Sequence, residues 1–479
     1  MKVRFAPSPT GFLHIGNART AVVNHIMARK HGAGYVLRIE DTDRERSTLE
    51  SEASIIDDLK WLGIEWTEGP DTGGDAGPYR QSERFEIYKK YTEQLLADGT
   101  AYPCYCTKEE LEASRKDDQG NVVSYTYNGR CRNLSDEEKE IFEKEGRAFT
   151  IRFHVPENET VVVKDHLKGD REFKSENIGG DFIIVRSDGV PIYNYIVSID
   201  DTLMGITHVI RGEDHLSNTP KQILVARALG FPEPEYAHQP LIMGEDKKKL
   251  SKRHGITSVN LYREEGYLPE ALVNYLSLLG WATDSGEEIL TEEELVKEFD
   301  LNKLGSSAAI FDFKKLRWMN SQYINKYDIA KLTDLFLPYI KEAGYDADAV
   351  DRSKLEAIVE LIRGSCEVLS DIKNFIGIFL DEVPEPDETT DNRLKSEAAP
   401  EIINAAAELF ASELTEDNFA EKFIDALNEK TEAKGKPFFM TARALVTMKQ
   451  KGPDIKLALP LIGFDKVKKR IEFCKNRYC

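Results

Sequence analysis

Lys2-Val3-Arg4-Phe5-Ala6-Pro7-Ser8-Pro9-Thr10-Gly11-Phe12-Leu13-His14-Ile15-Gly16-Asn17 is the stretch on which the reading of the fold turns. Residues 2–6 read as a strand, and the Pro/Ser/Thr/Gly run behind them as a turn. A helix is predicted over about 18–31, with Ala18, Val22 and Ile26 on its apolar face and Gly32 as its stop. The loop therefore delivers the chain to a helix N-terminus, where free N–H groups and the helix dipole favour phosphate. Gly16 lets a ligand approach the backbone closely, and His14 carries a donor for a phosphate oxygen. An ordinary strand–turn–helix with a satisfied histidine has the same local pattern, so a function needs a second element.

Outward from that loop, residues 35–39 form the next predicted strand, and amphipathic helices follow over 49–62 and from 82 to a stop at Gly99. Alternating strands and helices predict a parallel, doubly wound α/β sheet of the Rossmann type. From about Ala101 the texture changes to a cysteine-containing, charge-rich segment whose strands (149–155, 160–164, 182–186) alternate like antiparallel sheet. Residues 191–253 regain α/β character, so 101–190 reads as an α+β insertion between two halves, 1–100 and 191–253. After Gly266 the chain reads as helical nearly to its end, with periodic apolar sets such as Leu332, Leu335, Phe336, Tyr339 and Ile340. The Pro/Asp/Glu-rich stretch 382–392 is the expected linker there.

Bulk properties narrow the class. A chain of 479 residues is too long for one core, and its 41% hydrophobic and 31% charged residues are ordinary for a soluble protein. No apolar run approaches the roughly 20 residues that span a bilayer, and Met1 leads straight into a strand, so neither membrane insertion nor a secretory leader is expected. A net charge of −20 argues against nucleic acid only weakly, because phosphate binding depends on local clustering. Six cysteines make no disulfide framework; Cys104, Cys106 and Cys131 are grouped, which predicts a reducing cytoplasm and one candidate metal site.

The second element is 244–253, Gly-Glu-Asp-Lys-Lys-Lys-Leu-Ser-Lys-Arg, with five basic residues in seven positions. A charge run alone is usually a solvated face. Lys249-Leu250-Ser251-Lys252-Arg253, however, resembles the mobile lysine-serine-lysine signature of class I aminoacyl-tRNA synthetases, and His14-Ile15-Gly16-Asn17 resembles their histidine-glycine signature. Asn17 departs from the usual histidine in a way associated with the glutamyl/glutaminyl subgroup. Arg4-Phe5-Ala6-Pro7-Ser8-Pro9-Thr10-Gly11, Arg38-Ile39-Glu40-Asp41-Thr42-Asp43, Val209-Ile210-Arg211-Gly212-Glu213-Asp214-His215 and Phe311-Asp312-Phe313-Lys314-Lys315-Leu316-Arg317-Trp318-Met319-Asn320 are similar to that subgroup as well.

The resemblance spans nearly the whole chain and implies a bacterial-type glutamyl-tRNA synthetase. It implies a stem-contact domain over 254–327 and helical anticodon-binding domains over 328–375 and 376–479. Arg4, Ala6, Ser8, Glu40, Tyr193 and Arg211 match the family's glutamate pocket, with Glu40 reading the α-ammonium. Thr10, His14, Gly16, Asn17, His215, Lys249, Leu250, Ser251 and Lys252 match its ATP site, and His14, Gly16, Asn17, Lys249 and Lys252 carry its catalysis. Some relatives have an amide where this chain has Val197, so no polar contact is assigned there. Two arginines facing the substrate suit glutamate better than glutamine, because charge-assisted contacts suit a carboxylate. The helical C-terminal third points the same way, since glutaminyl enzymes carry β-barrels there.

The expected reaction joins the α-carboxylate of L-glutamate to the α-phosphorus of ATP, releases pyrophosphate, and passes the glutamyl group to the terminal adenosine of tRNA(Glu). Mg²⁺ accompanies ATP. The resemblance adds that the adenylate forms only with tRNA bound, and a monomer is expected. Cys104, Cys106 and Cys131 follow the spacing of zinc-bearing relatives, but Asn133 stands where those have histidine; Tyr127 matches the tyrosine ligand of a truncated relative and is the candidate fourth ligand. In the anticodon region, Ser365 stands where the family often has an arginine, which in some relatives helps discriminate the last anticodon base. Charging of tRNA(Gln) as well is therefore open, with Arg363 near enough to compensate; Arg443 falls in the same region. The rival readings are a glutaminyl-tRNA synthetase, a nucleotidylyltransferase acting on a small metabolite, and a non-catalytic RNA-binding module.

Overall fold

Val3, Phe5, Val36 and Leu37 are buried, and the strands that carry them, Lys2–Phe5 and Gly34–Leu37, pair in parallel from Lys2↔Gly34 to Phe5↔Leu37. The computed structural model describes residues 1–114 and 126–479, leaving out the side chain of Lys252. A second parallel pair, His208–Gly212 with Glu235–Gln239, lies beside the first: the Thr207 N–H donates to Lys2 O at 3.0 Å. The described residues divide into two compact units, 1–262 with 272–312, and 263–271 with 313–479.

In the first unit, the leading helix is Ile15–His31 and starts three residues ahead of the sequence expectation, because His14 caps it. Gly32 ends it in the left-handed region at φ 56°, where a side chain would be strained, and Arg29, Lys30 and His31 suit the negative end of its dipole. Helices Leu49–Trp61, Phe85–Ala97, Tyr193–Leu203 and Thr219–Ala228 also belong to this α/β body. The inserted segment carries Ala101–Cys104, Thr150–Phe153 and Phe182–Val185 as one antiparallel sheet and pairs Thr160–Val163 with Arg171–Lys174. Strand Arg171–Lys174 escaped the sequence reading because only Phe173 among its residues is apolar. Beyond Gly266 the chain is not helical throughout, since Ala309–Ile310 pairs in parallel with Ile242–Met243.

The second unit is helical. Ile329–Glu342 turns Leu332, Phe336 and Ile340 inward, as the 3.6-residue period requires. The stretch expected as a linker is held in this unit's core. Buried Arg470 donates to the carbonyls of Ile378, Asp381, Glu382 and Val446, and helix Glu388–Leu394 buries Thr390 and Leu394. Among the described residues no helix is long and apolar enough to cross a membrane.

Candidate active site

The turn after the first strand and the helix behind it build an anion-facing end. His14 is extended at φ −73° and ψ 145°, and its Nδ1 accepts from the Gly16 N–H at 3.2 Å. That bond leaves Nε2 to carry the proton and donate. Burial, assisted by Lys249, pushes the His14 pKa down, so the ring is neutral near pH 7. A Cβ at Gly16 would meet only His14 Nδ1, at 3.5 Å, so packing within the protein does not demand glycine there.

Arg4, Ala6, Ser8, Thr10, His14, Gly16, Asn17, Glu40, Tyr193, Arg211, His215, Lys249 and Leu250 line one cleft of about 480 Å³. Residues as far apart in sequence as Arg4 and Leu250 converge there. Lys249 stands on a hairpin closed by Gly244 N–H to Lys248 O and Leu250 N–H to Ile242 O. Buried Leu250 anchors that loop, while exposed Lys249 reaches to 3.7 Å from Asp214 Oδ2. Ser251 does not line the cleft; its backbone N–H donates to His254 Nδ1 at 3.0 Å. The Lys252 side chain lies outside the described residues. His215, bonded to Tyr193 Oη at 3.0 Å, has its pKa lowered to about 4 by burial and by the Arg211 charge, so it too is neutral.

At the other end the two arginines differ. Arg4 is paired: its Nε and Nη2 bond both oxygens of buried Asp201, at 3.2 and 3.5 Å. Arg211 is 5% exposed, and its partners are neutral. Its Nε donates to His238 Nε2 at 3.1 Å, and its Nη2 to Thr219 Oγ1 and Gln222 Oε1 at 2.9 and 2.8 Å. Its Nη1 is buried with no hydrogen-bond partner. A buried guanidinium that lines a cleft with a donor unspent and no carboxylate bound is arranged to receive an anion. Glu40 supplies the opposite charge. Burial raises its pKa, and Arg38, bonded at 3.2 Å, offsets part of that. Beneath them Arg38 also bonds Asp201 at 2.6 Å, and Arg84, Gln81 and Tyr88 all bond Asp200, fixing the floor of the pocket.

Sequence reasoning missed Arg19, Asp214, Gln239 and Leu241, which also line the cleft. Arg19 is buried and ties the first helix to Pro240 O at 2.8 Å and Leu279 O at 2.6 Å; burial lowers its pKa to about 10. Its signal was legible: a charge directly beside Ala18, on the arc the helical period assigns to the core. Nothing in the local sequence marks Gln239 or Leu241.

The three grouped cysteines converge in the inserted segment. Their sulfurs lie within 4.8 Å of one another, with Cys106 Sγ 3.5 Å from Cys131 Sγ. Tyr127 Oη is 3.4 Å from Cys104 Sγ and 3.7 Å from Cys106 Sγ. Donors around a tetrahedral zinc, with Zn–S near 2.3 Å and Zn–O near 2.0 Å, are separated by about 3.5–3.8 Å, so this set fits the ion. The Cys131 hydrogen bond holds the Cys104 thiol down to about 4, aided by Tyr127 and Arg152, while burial pushes Cys106 up. Asn133 is exposed. The remaining cysteines are free.

In the helical unit Ser365 is exposed on the turn Arg363–Ser365. Arg363 is engaged with Tyr327 O at 3.1 Å and Glu360 Oε1 at 2.8 Å. Arg443 donates to Gly452 O at 3.1 Å and lines a separate cavity of about 360 Å³ with Lys436, Phe439 and Lys456.

Comparison with known proteins gives the family. A family model for the catalytic domain of class I tRNA synthetases (E and Q) matches residues 1–318, and one for an anticodon binding domain matches residues 331–474. The chain is 47% identical over 484 aligned residues to glutamate–tRNA ligase 1 of Thermoanaerobacter sp. (strain X514), covering 99% of each. It is likewise 47% identical over 475 residues to the glutamate–tRNA ligase of Aquifex aeolicus (strain VF5), covering 98% of each. The crystal structure of a glutamate tRNA ligase from Elizabethkingia meningosepticum CCUG26117, in complex with its amino acid, superposes with a TM-score of 0.88 at 34% identity over the whole of both chains.

Proposed function

This chain belongs to the class I glutamate–tRNA ligases, and from that premise we propose that it activates L-glutamate with ATP and esterifies it onto tRNA(Glu). The observation that carries the choice of substrate is Arg211, buried, without a carboxylate partner and with Nη1 unspent. A glutamate side chain supplies the missing charge; a glutamine amide does not. Glu40 takes the α-ammonium, and Tyr193, Ala6, Ser8 and Arg4 shape the rest of that pocket.

ATP lies with its phosphates toward the helix N-terminus, against Gly16 and Asn17 and within reach of the His14 Nε2 donor. Thr10, His215 and the 249–252 loop complete the nucleotide site. The α-carboxylate of glutamate attacks the α-phosphorus and pyrophosphate leaves. No protein nucleophile is needed, because the attacking carboxylate is already ionised. Catalysis comes from positioning and from Lys249 and Lys252 neutralising charge on the phosphates. Mg²⁺ enters with ATP, held mainly by phosphate oxygens and water. A ribose hydroxyl of the terminal adenosine then takes the glutamyl group. Neutral His14 donates without adding a second full charge beside Lys249.

Cys104, Cys106, Cys131 and Tyr127 would hold a structural zinc, which would tie the end of strand Ala101–Cys104 to Tyr127 and Cys131. Free thiols support a reducing cytoplasm, and we take the enzyme as a monomer. Exposed Ser365, with the Arg363 guanidinium already engaged, supports charging of tRNA(Gln) alongside tRNA(Glu). The test is glutamate charging, with ATP and Mg²⁺, of separate tRNA(Glu) and tRNA(Gln) transcripts. Charging of both is expected. Charging of tRNA(Glu) alone removes the tRNA(Gln) reading, and no glutamate transfer to either removes the function.

A further inference from the structure

Arg211 is held by more than its neighbours in the nucleotide fold. Its Nε donates to His238 Nε2 at 3.1 Å, and His238 Nδ1 lies 2.5 Å from Asp165 Oδ2. Both His238 and Asp165 are fully buried. Arg211 sits on strand His208–Gly212 and His238 on strand Glu235–Gln239, paired directly opposite each other in the sheet. Asp165 comes from the inserted segment, where its bridge to Tyr236 brings it to the sheet. Its Oδ1 accepts the N–H groups of Leu167 and Lys168 at 2.9 and 2.8 Å, and its Oδ2 also accepts the His238 N–H at 3.1 Å.

These bonds allow one protonation pattern. Arg211 Nε can only donate, so His238 Nε2 must be unprotonated and Nδ1 must carry the hydrogen that Asp165 accepts. Burial pushes the His238 pKa down, consistent with a neutral ring. With Nε and Nη2 both committed, rotation of the guanidinium about its bond to Cδ is stopped, and the unspent Nη1 keeps one direction.

We propose that Asp165 and His238 are positioning residues for amino-acid selection: the buried Asp165–His238–Arg211 chain fixes the guanidinium plane so that Nη1 meets the side-chain carboxylate of glutamate. Neither residue touches the substrate. The proposal rests on the glutamate reading of the cleft given above. It makes the pocket's selectivity depend on a residue of the inserted segment, far from it in sequence.

The test compares Asp165→Asn, His238→Phe and His238→Gln with the wild-type full-length chain, measuring KM for glutamate, KM for ATP and kcat in tRNA(Glu) charging. In Asp165→Asn the amide oxygen keeps the Leu167 and Lys168 N–H groups, and its NH₂ replaces Oδ2. His238 then has to expose Nδ1 as an acceptor and turn a protonated Nε2 against the Arg211 Nε–H. His238→Phe removes the acceptor altogether, while His238→Gln keeps an acceptor near the Nε2 position. The expected result is a KM for glutamate at least tenfold higher in Asp165→Asn and His238→Phe. The KM for ATP should stay within about threefold of wild type, with most of the glutamate affinity restored in His238→Gln. A KM for glutamate unchanged in both variants, or both KM values rising together, overturns the proposal. Should one variant fail to fold, as read by thermal unfolding, the other carries the same decision. Wild-type charging with glutamate tests the underlying reading separately, since it is measured before any variant.

Discussion

Replacing Arg211 by glutamine should convert a carboxylate pocket into an indifferent one. The guanidinium is 5% exposed, three of its hydrogen bonds go to neutral partners, and Nη1 has no hydrogen-bond partner. Its pairing with the side chain of glutamate is therefore desolvated, and losing one member of such a pair costs about 3–5 kcal/mol. At 1.36 kcal/mol per factor of ten, kcat/KM for glutamate should fall roughly 150- to 5,000-fold. Glutamine gains little from the charge, so its residual activation should change by less than about tenfold. The assay is charging of tRNA(Glu) by the variant and the wild type with each amino acid at saturating ATP, with thermal unfolding as the control for folding. An equal loss for glutamate and glutamine, or a glutamate loss below tenfold, would refute the assignment of Arg211 to the side-chain carboxylate.

Glu40 must be ionised to hold an ammonium, and burial raises its pKa, so kcat/KM for glutamate should fall as pH drops through that raised value. Glu40→Gln should raise KM and abolish this acid limb, which pH–rate profiles of the two proteins will show. Metal analysis of the purified protein should find zinc; Cys106→Ser and Cys131→Ser should lose it, Tyr127→Phe should release it faster to a chelator, and Asn133→Ala should keep it. Arg470→Ala leaves four backbone carbonyls without their buried donor and should destabilise the helical unit by about 3–5 kcal/mol, seen as a lowered Tm.

Much of the site was legible before any coordinates. The first loop and the 249–253 run carry residue types that bind phosphate, and their order along the chain around an insertion is specific enough to point to one family. The grouped cysteines were equally plain, and the structure brings Cys104, Cys106, Cys131 and Tyr127 together as a set. The apolar period of Leu332, Leu335, Phe336, Tyr339 and Ile340 falls within helix Ile329–Glu342. The short polar strand Arg171–Lys174 and the two-residue strand Ala309–Ile310 were not, because pairing with a neighbour, rather than local pattern, makes them strands.

By itself, then, the sequence determined the class of the enzyme and its α/β-then-helical order, both of which are written in local motifs and periodicity. What only the tertiary structure decided is how charge is distributed among those residues. Two arginines look alike along the chain, yet Arg4 is paired with the carboxylate of Asp201 while Arg211 has only neutral partners. The Asp165–His238–Arg211 chain likewise joins residues that lie up to 73 positions apart. The physical reason is that a hydrogen bond or ion pair is set by distance through space in a medium that excludes water, and no local pattern encodes which distant partner the fold will supply.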